Sequence, residues 1–177
     1  MSRATGEPDD RERAVAVTRP GRGRRRSAGL LLWRRAGDGA LEVLLGHPGG
    51  PLFARRDAGV WSVPKGEYLP DEEPLVAAYR EFTEELGVAP PDGDPVHLGE
   101  VVQRSGKVVT VWAQPGDLDV TDIASNLFTM VWPPRSGHLQ QFPELDRAAW
   151  LDLPTARRLL APAQRAFLDR LEEHLAT

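Results

Sequence analysis

Three glutamates carry the chemistry that this sequence is equipped to do. Glu81, Glu84 and Glu85 stand at i, i+3 and i+4, the spacing that puts side chains on one face of a helix. Arg80 meets Glu84 at i+4 on the same turns. Carboxylates this close repel, at roughly a few tenths of a kcal/mol per pair even in solvent. They also fall near the expected helix C-terminus, where the backbone dipole disfavours negative charge. A cation reverses both penalties. Hard divalent ions, Mg²⁺ above all, suit clustered carboxylates that share the ion with waters and phosphates. A solvated charged face is the plainer explanation of a glutamate-rich helix, and spacing alone leaves both open.

The elements that must position these side chains follow from periodicity. A helix is expected over residues 72–86, because Leu75, Ala78, Phe82 and Leu86 recur at steps of three or four and form one apolar stripe. The carboxylate face is expected to point away from that stripe. Asp71 is the expected N-cap, Pro74 suits the first turn, and Gly87 suits the left-handed position after the last turn. Upstream, residues 30–33 and 41–45 read as two strands of a hairpin around a turn at 36–39. Residues 46–51 read as a turn-rich loop carrying His47, and 60–63 as a short strand leading into Pro64, Lys65 and Gly66. Downstream, 100–104 and 107–113 read as strands joined at Ser105 and Gly106. Val109 and Val111 should face one side, and Val108, Thr110 and Trp112 the other. Residues 114–127 are loop-like, 128–132 a strand stopped by two prolines, 148–151 a last strand, and 152–175 a helical tail broken at Pro162. The pattern is a mixed sheet flanked by helices.

From Gly66 to Val88 the chain reads GEYLPDEEPLVAAYREFTEELGV. This resembles the Nudix box: glycine, five residues, glutamate, seven residues, then Arg-Glu-apolar-any-Glu-Glu-any-Gly-apolar. Gly66, Glu72, Arg80, Glu81, Glu84, Glu85 and Gly87 fill every fixed position, and Phe82 and Val88 are apolar. Seven such identities arise by chance about once in 10⁸ start positions at ordinary residue frequencies. The resemblance implies an α/β/α sandwich with a mixed β-sheet, in which the box forms a loop, a helix and a second loop. It implies that Glu81, Glu84 and Glu85 hold Mg²⁺ or Mn²⁺, with the backbone carbonyl of Lys65 or Gly66 completing the site. Arg80 would orient a glutamate, and Glu72 would brace the loop against the helix. Gly66 and Gly87 would be structural. Glu144 resembles a downstream acidic residue that some members use as ligand or general base.

The resemblance implies a reaction that suits these residue types. Water attacks a diphosphate only if its charge is neutralised and the water is deprotonated; metal ions serve both needs, and a glutamate can take the proton. Lys65, Lys107, Arg55, Arg56 and His47 are candidates for contact with the substrate. Trp61, Trp112 and Trp132 could stack on a base. Residues 61–67 and 107–113 look similar to segments of dinucleoside polyphosphate hydrolases, and they contain both lysines of the chain. Residues 125–141 have no counterpart in the pattern.

Composition narrows the alternatives. A net charge of −4 argues against a nucleic-acid coat or a membrane-surface binder. The absence of cysteine excludes disulfides, thiolate metal sites and cysteine nucleophiles. No apolar run approaches the roughly 20 residues that span a bilayer, and the short one after Arg24, Arg25 and Arg26 is too brief for an export signal. The expected location is the cytoplasm. Residues 1–26, rich in Arg, Gly and acidic residues, are expected to form a disordered tail, and 27–177 the Nudix domain. Two other functions fit the same box: a non-catalytic nucleotide-sensing domain, and an enzyme acting on RNA 5′ ends.

Overall fold

The computed structural model describes residues 23–177. The expected tail up to residue 22 lies outside the described residues. The first strand, β1 (Arg26–Arg35), begins one residue before the expected domain boundary, and the Arg25 carbonyl already accepts the Val108 N–H at 2.9 Å.

β1 turns at Asp38 and Gly39 into β2 (Leu41–Pro48), pairing antiparallel with Trp33 opposite Val43. β3 (Lys65–Glu67) pairs antiparallel with the start of β1, with Ala28 opposite Gly66. β4 (Val96–Val102) and β5 (Val108–Pro115) form the second hairpin, and β5 runs parallel to β1. β6 (Leu127–Val131) and β7 (Leu139–Pro143) form a separate two-stranded sheet. β8 (Leu145–Asp152) closes the main sheet against β2, giving the order β4-β5-β1-β2-β8 with β3 beside β1. One parallel pair among antiparallel ones makes the sheet mixed, as expected.

Alternation along the strands builds a core on each face. Leu31, Val43, Leu45, Val109 and Val111 point to one face and meet Phe167, Leu168 and Leu171. These three belong to α3 (Arg165–Leu175), which follows α2 (Leu153–Leu159) and a single 3-10 turn at Pro162–Gln164. Ala28, Leu30, Leu32 and Leu44 point to the other face and meet Ala77, Ala78, Phe82 and Leu86 of α1 (Pro74–Leu86). Helices on both faces make the expected α/β/α sandwich. Phe82 is fully buried, so truncating it to alanine should cost about 3–5 kcal/mol.

Three local expectations are corrected. α1 starts at Pro74 with Glu73 as its N-cap, rather than at Glu72 behind Asp71. A residue before proline is pushed out of the helical region; Glu73 accordingly has φ −65° and ψ 124°, while Glu72 closes a turn onto the Leu69 carbonyl. Residues 60–63 form no strand but two single bridges, Gly46 to Ser62 and Trp61 to Leu160, and the strand lies instead at Lys65–Glu67. His47 is part of β2, not of a loop, and is fully buried. Residues 125–141, without counterpart in the pattern, supply most of the β6–β7 hairpin.

Candidate active site

α1 ends as its sequence requires. Gly87 takes φ 74° and its N–H returns to the Thr83 carbonyl at 2.8 Å. Glycine is needed twice here, because a Cβ would also lie 2.6 Å from the Ala124 carbonyl oxygen.

The carboxylates do not all face solvent, which corrects the expectation of a face turned away from the core. Ala77, Glu81 and Glu85 form an i, i+4 row directly beside the row of Ala78, Phe82 and Leu86. Glu81 and Glu85 are only 7% and 9% exposed, and Glu84 is half-buried. Glu85 Oε2 accepts the Lys65 backbone N–H at 2.9 Å. Glu81 rests against Gly66 so closely that a Cβ there would fall 1.8 Å from its Oε2. The first glycine of the box is therefore an imprint of the Glu81 carboxylate.

Arg80 ties this helix to the preceding loop. Its Nε and Nη2 grip both oxygens of Glu72, at 2.8 and 3.0 Å. Its Nη1 donates to Glu81 Oε1 at 2.6 Å and to Glu84 Oε2 at 3.2 Å, and Nη2 reaches the Glu67 carbonyl at 3.3 Å. The bidentate fork fixes geometry as well as charge. Hydrogen bonding to Arg80 holds the Glu72 carboxyl below its ordinary range.

The ladder decides which backbone carbonyl faces the carboxylates. Leu30 N–H donates to Pro64 O, and Tyr68 N–H to Arg26 O. By antiparallel alternation, Gly66 then directs its amide and carbonyl at β1, and Lys65 directs both away from it. The Lys65 amide indeed meets Glu85, so its carbonyl opens to the same side.

Electrostatics records the strain of this packing. Burial pushes the Glu85 carboxyl up to about 8, the charges of Glu144 and Glu81 add to the rise, and Lys65 opposes it. Burial also raises Glu81, with Glu84 and Glu144 adding and Arg80 opposing. Glu144, between β7 and β8, thus lies near enough for its charge to act on both buried glutamates. Burial lowers the Lys65 ammonium, and the charge of Lys107 lowers it further.

Among the described residues, no three acidic or histidine side chains converge on one point as they stand. The reason is visible: Arg80 holds oxygens of Glu81 and Glu84, and the Lys65 amide holds one of Glu85. The donor set still fits a hard divalent cation in kind, since it offers four carboxylates and a turned-out carbonyl.

Lys107 lies beside this set, with Nζ 3.2 Å from Glu67 Oε1. Glu67 also takes Arg25, and these partners hold its carboxyl below the ordinary range, the Arg25 hydrogen bond first. The sequence reading missed Glu67, although its i+2 spacing from Lys65 puts both on one face of β3. Opposite it, Ser27 is fully buried and its Oγ has no partner among the described residues. A hollow of about 1000 Å³ flanks the loop, lined by Arg25, Arg26, Glu67, Tyr68 and Glu72.

Other candidates are placed elsewhere. His47 is enclosed on the α3 face, its Nδ1 2.7 Å from Asp146 Oδ1 and its Nε2 2.6 Å from the Arg56 carbonyl. Arg55 and Arg56 are exposed on the loop after β2. Trp61 belongs to the core on the α3 face and Trp112 packs against the core under α1. Trp132 is half-buried at the end of the β6–β7 hairpin.

A helix that buries two glutamates against a glycine loop, with an arginine strapping the loop down, defines a carboxylate centre at the loop–helix junction. The NUDIX domain family matches residues 23–171, and the chain belongs to that family, whose hydrolases split pyrophosphate linkages. No curated protein sequence matches it. Among solved structures it is similar to a C. elegans Ap4A hydrolase in a binary complex, with 23% identity and a TM-score of 0.61 over 86% of this chain and 98% of that one. It is also similar to the MutT protein of Methanosarcina mazei Go1, with 22% identity and a TM-score of 0.57 over 90% and 100% of the two chains. The NUDIX domain of Shewanella oneidensis NrtR, solved with ADP ribose, has 18% identity and a TM-score of 0.54 over 86% and 89%. At these identities the likeness establishes the fold.

Proposed function

We propose that the protein hydrolyses the diphosphate linkage of a nucleotide, a dinucleoside polyphosphate or nucleoside triphosphate, with Mg²⁺ or Mn²⁺ as cofactor. The observation that carries this reading is the burial of Glu81 and Glu85 against Gly66 and Lys65, with the charge of Glu144 upon them. Like charges forced together out of water are costly, and a divalent ion with its phosphate ligand is the chemistry that makes them useful.

Glu81, Glu84, Glu85 and the Lys65 carbonyl would hold the metal, which when bound neutralises phosphoryl oxygens and acidifies water. Arg80 keeps Glu81 and Glu84 in register and, through Glu72, keeps the loop closed over them. Glu144 accepts the proton as a water oxygen bonds to phosphorus and the bridging P–O bond breaks. Lys65 and Lys107 pair with the phosphates, and the Ser27 hydroxyl, buried without a partner among the described residues, supplies a further donor. His47, enclosed between Asp146 and Arg56, has no part in binding. Among the described residues no helix is long and apolar enough to cross a membrane.

A panel of dinucleoside polyphosphates, nucleoside triphosphates, ADP-ribose and 5′-triphosphorylated RNA, with Mg²⁺ and Mn²⁺, tests this. The expected result is metal-dependent cleavage, fastest on a dinucleoside polyphosphate. Tight nucleotide binding without any product would overturn it in favour of a sensing domain, and cleavage confined to RNA would move the substrate class.

A further inference from the structure

Residues 124–126 form a short clip between the end of α1 and Glu144. The last carbonyls of a helix lack partners within it; here the Ala124 N–H donates to Leu86 O at 3.2 Å and the Asn126 N–H to Glu84 O at 2.9 Å. On its other side the clip holds the strand that carries Glu144. The Glu144 N–H donates to Asn126 O at 2.8 Å, and the Leu145 N–H donates to Ser125 Oγ at 3.0 Å. The Glu144 carbonyl accepts from Gly49 N–H at 2.9 Å. A Cβ at Gly49 would fall 1.9 Å from the Pro143 carbonyl oxygen, so the far side is closed as well.

A hydroxyl is needed at residue 125 because of the sheet. The β2–β8 register shifts between His47 and Pro48, opposite Leu145, and the Leu145 amide takes its partner from outside the ladder. Leu145 is itself buried, with its side chain against Gly46. An unpaired amide at that place costs more than the bond itself contributes, so the strand must move to find another acceptor. Glu144 is the residue it would carry along.

We propose that Ser125 is the positioning residue for Glu144, fixing its distance from Glu81 and Glu85 through the Leu145 amide and the helix-end clip. This rests on the reading of Glu144 as the proton acceptor. It differs from a general stabilising role in what the Ser125 hydroxyl itself touches, the Leu145 amide one residue from Glu144.

The test uses the full chain and the best-cleaved nucleotide of the panel above. Misplacing a catalytic group by a fraction of an ångström should make Ser125→Ala lower kcat about tenfold while KM stays within about twofold. Ser125→Thr, which keeps the hydroxyl, should restore the rate. Hydrogen exchange at the Leu145 amide, without substrate or metal, should be faster in Ser125→Ala and normal in Ser125→Thr. In a Glu144→Gln background, Ser125→Ala should cost nothing further, since coupled residues are non-additive. A fully active Glu144→Gln would overturn the reading of Glu144 itself. A slow Glu144→Gln beside an unimpaired Ser125→Ala, or an additive loss in the double variant, would overturn the positioning role alone.

Discussion

Two helices in this molecule carry acidic residues at the same spacing. α1 has Glu81, Glu84 and Glu85; α3 has Asp169, Glu172 and Glu173, again at i, i+3 and i+4. In α3 all three are exposed, and two of them form surface pairs with Arg157. In α1 two of the three are buried against a glycine loop and raised above the ordinary carboxylate range. Spacing is therefore not what makes a site. In α3 the acids lie outside the buried row of Phe167, Leu168 and Leu171, whereas in α1 the row of Ala77, Glu81 and Glu85 runs alongside the core. The second contrast is what faces the helix: α1 meets Gly66, which has no side chain to exclude a carboxylate.

The contrast should be largest in turnover. Glu81→Gln and Glu85→Gln should each lower kcat by at least about 10²-fold, a typical loss for an acid–base or electrostatic group. Glu172→Gln and Glu173→Gln should leave it unchanged. Equal effects in the two helices, in steady-state assays, would erase the distinction.

Gly66→Ala should come next, with turnover down about tenfold or more, since the new methyl displaces Glu81 from a catalytic geometry. Gly37→Ala, where nothing among the described residues lies within 4 Å of the added atom, is the control and should behave as the unaltered chain.

Metal and pH sharpen the comparison through stability. A carboxyl raised from 4.5 to about 8 on folding favours the folded state below its unfolded pKa and loses that contribution as pH rises through the folded one. Metal-free protein in EDTA should therefore melt at lower temperature as pH rises across that window, and Glu85→Gln should flatten the dependence. Adding Mg²⁺ with a non-hydrolysable nucleotide at the alkaline end should raise the melting temperature, because binding to the folded state alone adds about 2.7 kcal/mol at a hundredfold excess over Kd. Each kcal/mol corresponds to roughly 2–4 °C for a domain of this size. No shift beyond that of nucleotide alone would count against a working metal site.

The smallest effect belongs to α3. Arg157→Ala removes both exposed pairs and should change stability by no more than about 1 kcal/mol in urea unfolding, as surface ion pairs do.

Much of this was written in local sequence. The box residues carried their own identification, and alternation set Val109 and Val111 on the opposite face from Trp112, because side-chain direction repeats every two residues whatever the neighbours are. Gly87 ended α1, Pro162 broke the C-terminal helix, and Asp152 capped α2 through the Thr155 N–H at 2.7 Å, since caps and breaks act within a few residues.

Tertiary structure decided the rest. Periodicity told which residues share a face but not how wide the buried face is, so Glu81 and Glu85 looked solvated until β3 and Gly66 were placed beside them. His47 stood among turn-forming residues, yet β8 paired with its strand from 99 positions away and enclosed it against Asp146. The strand expected at 128–132 was legible but its partner β7 was not, because a two-stranded sheet lying apart from the main one buries little of its surface. Glu144 reached the site only because β2, β8 and the end of α1 meet around it. Each of these outcomes depends on surfaces supplied by distant parts of the chain, and burial is set by such surfaces rather than by a residue's neighbours in sequence.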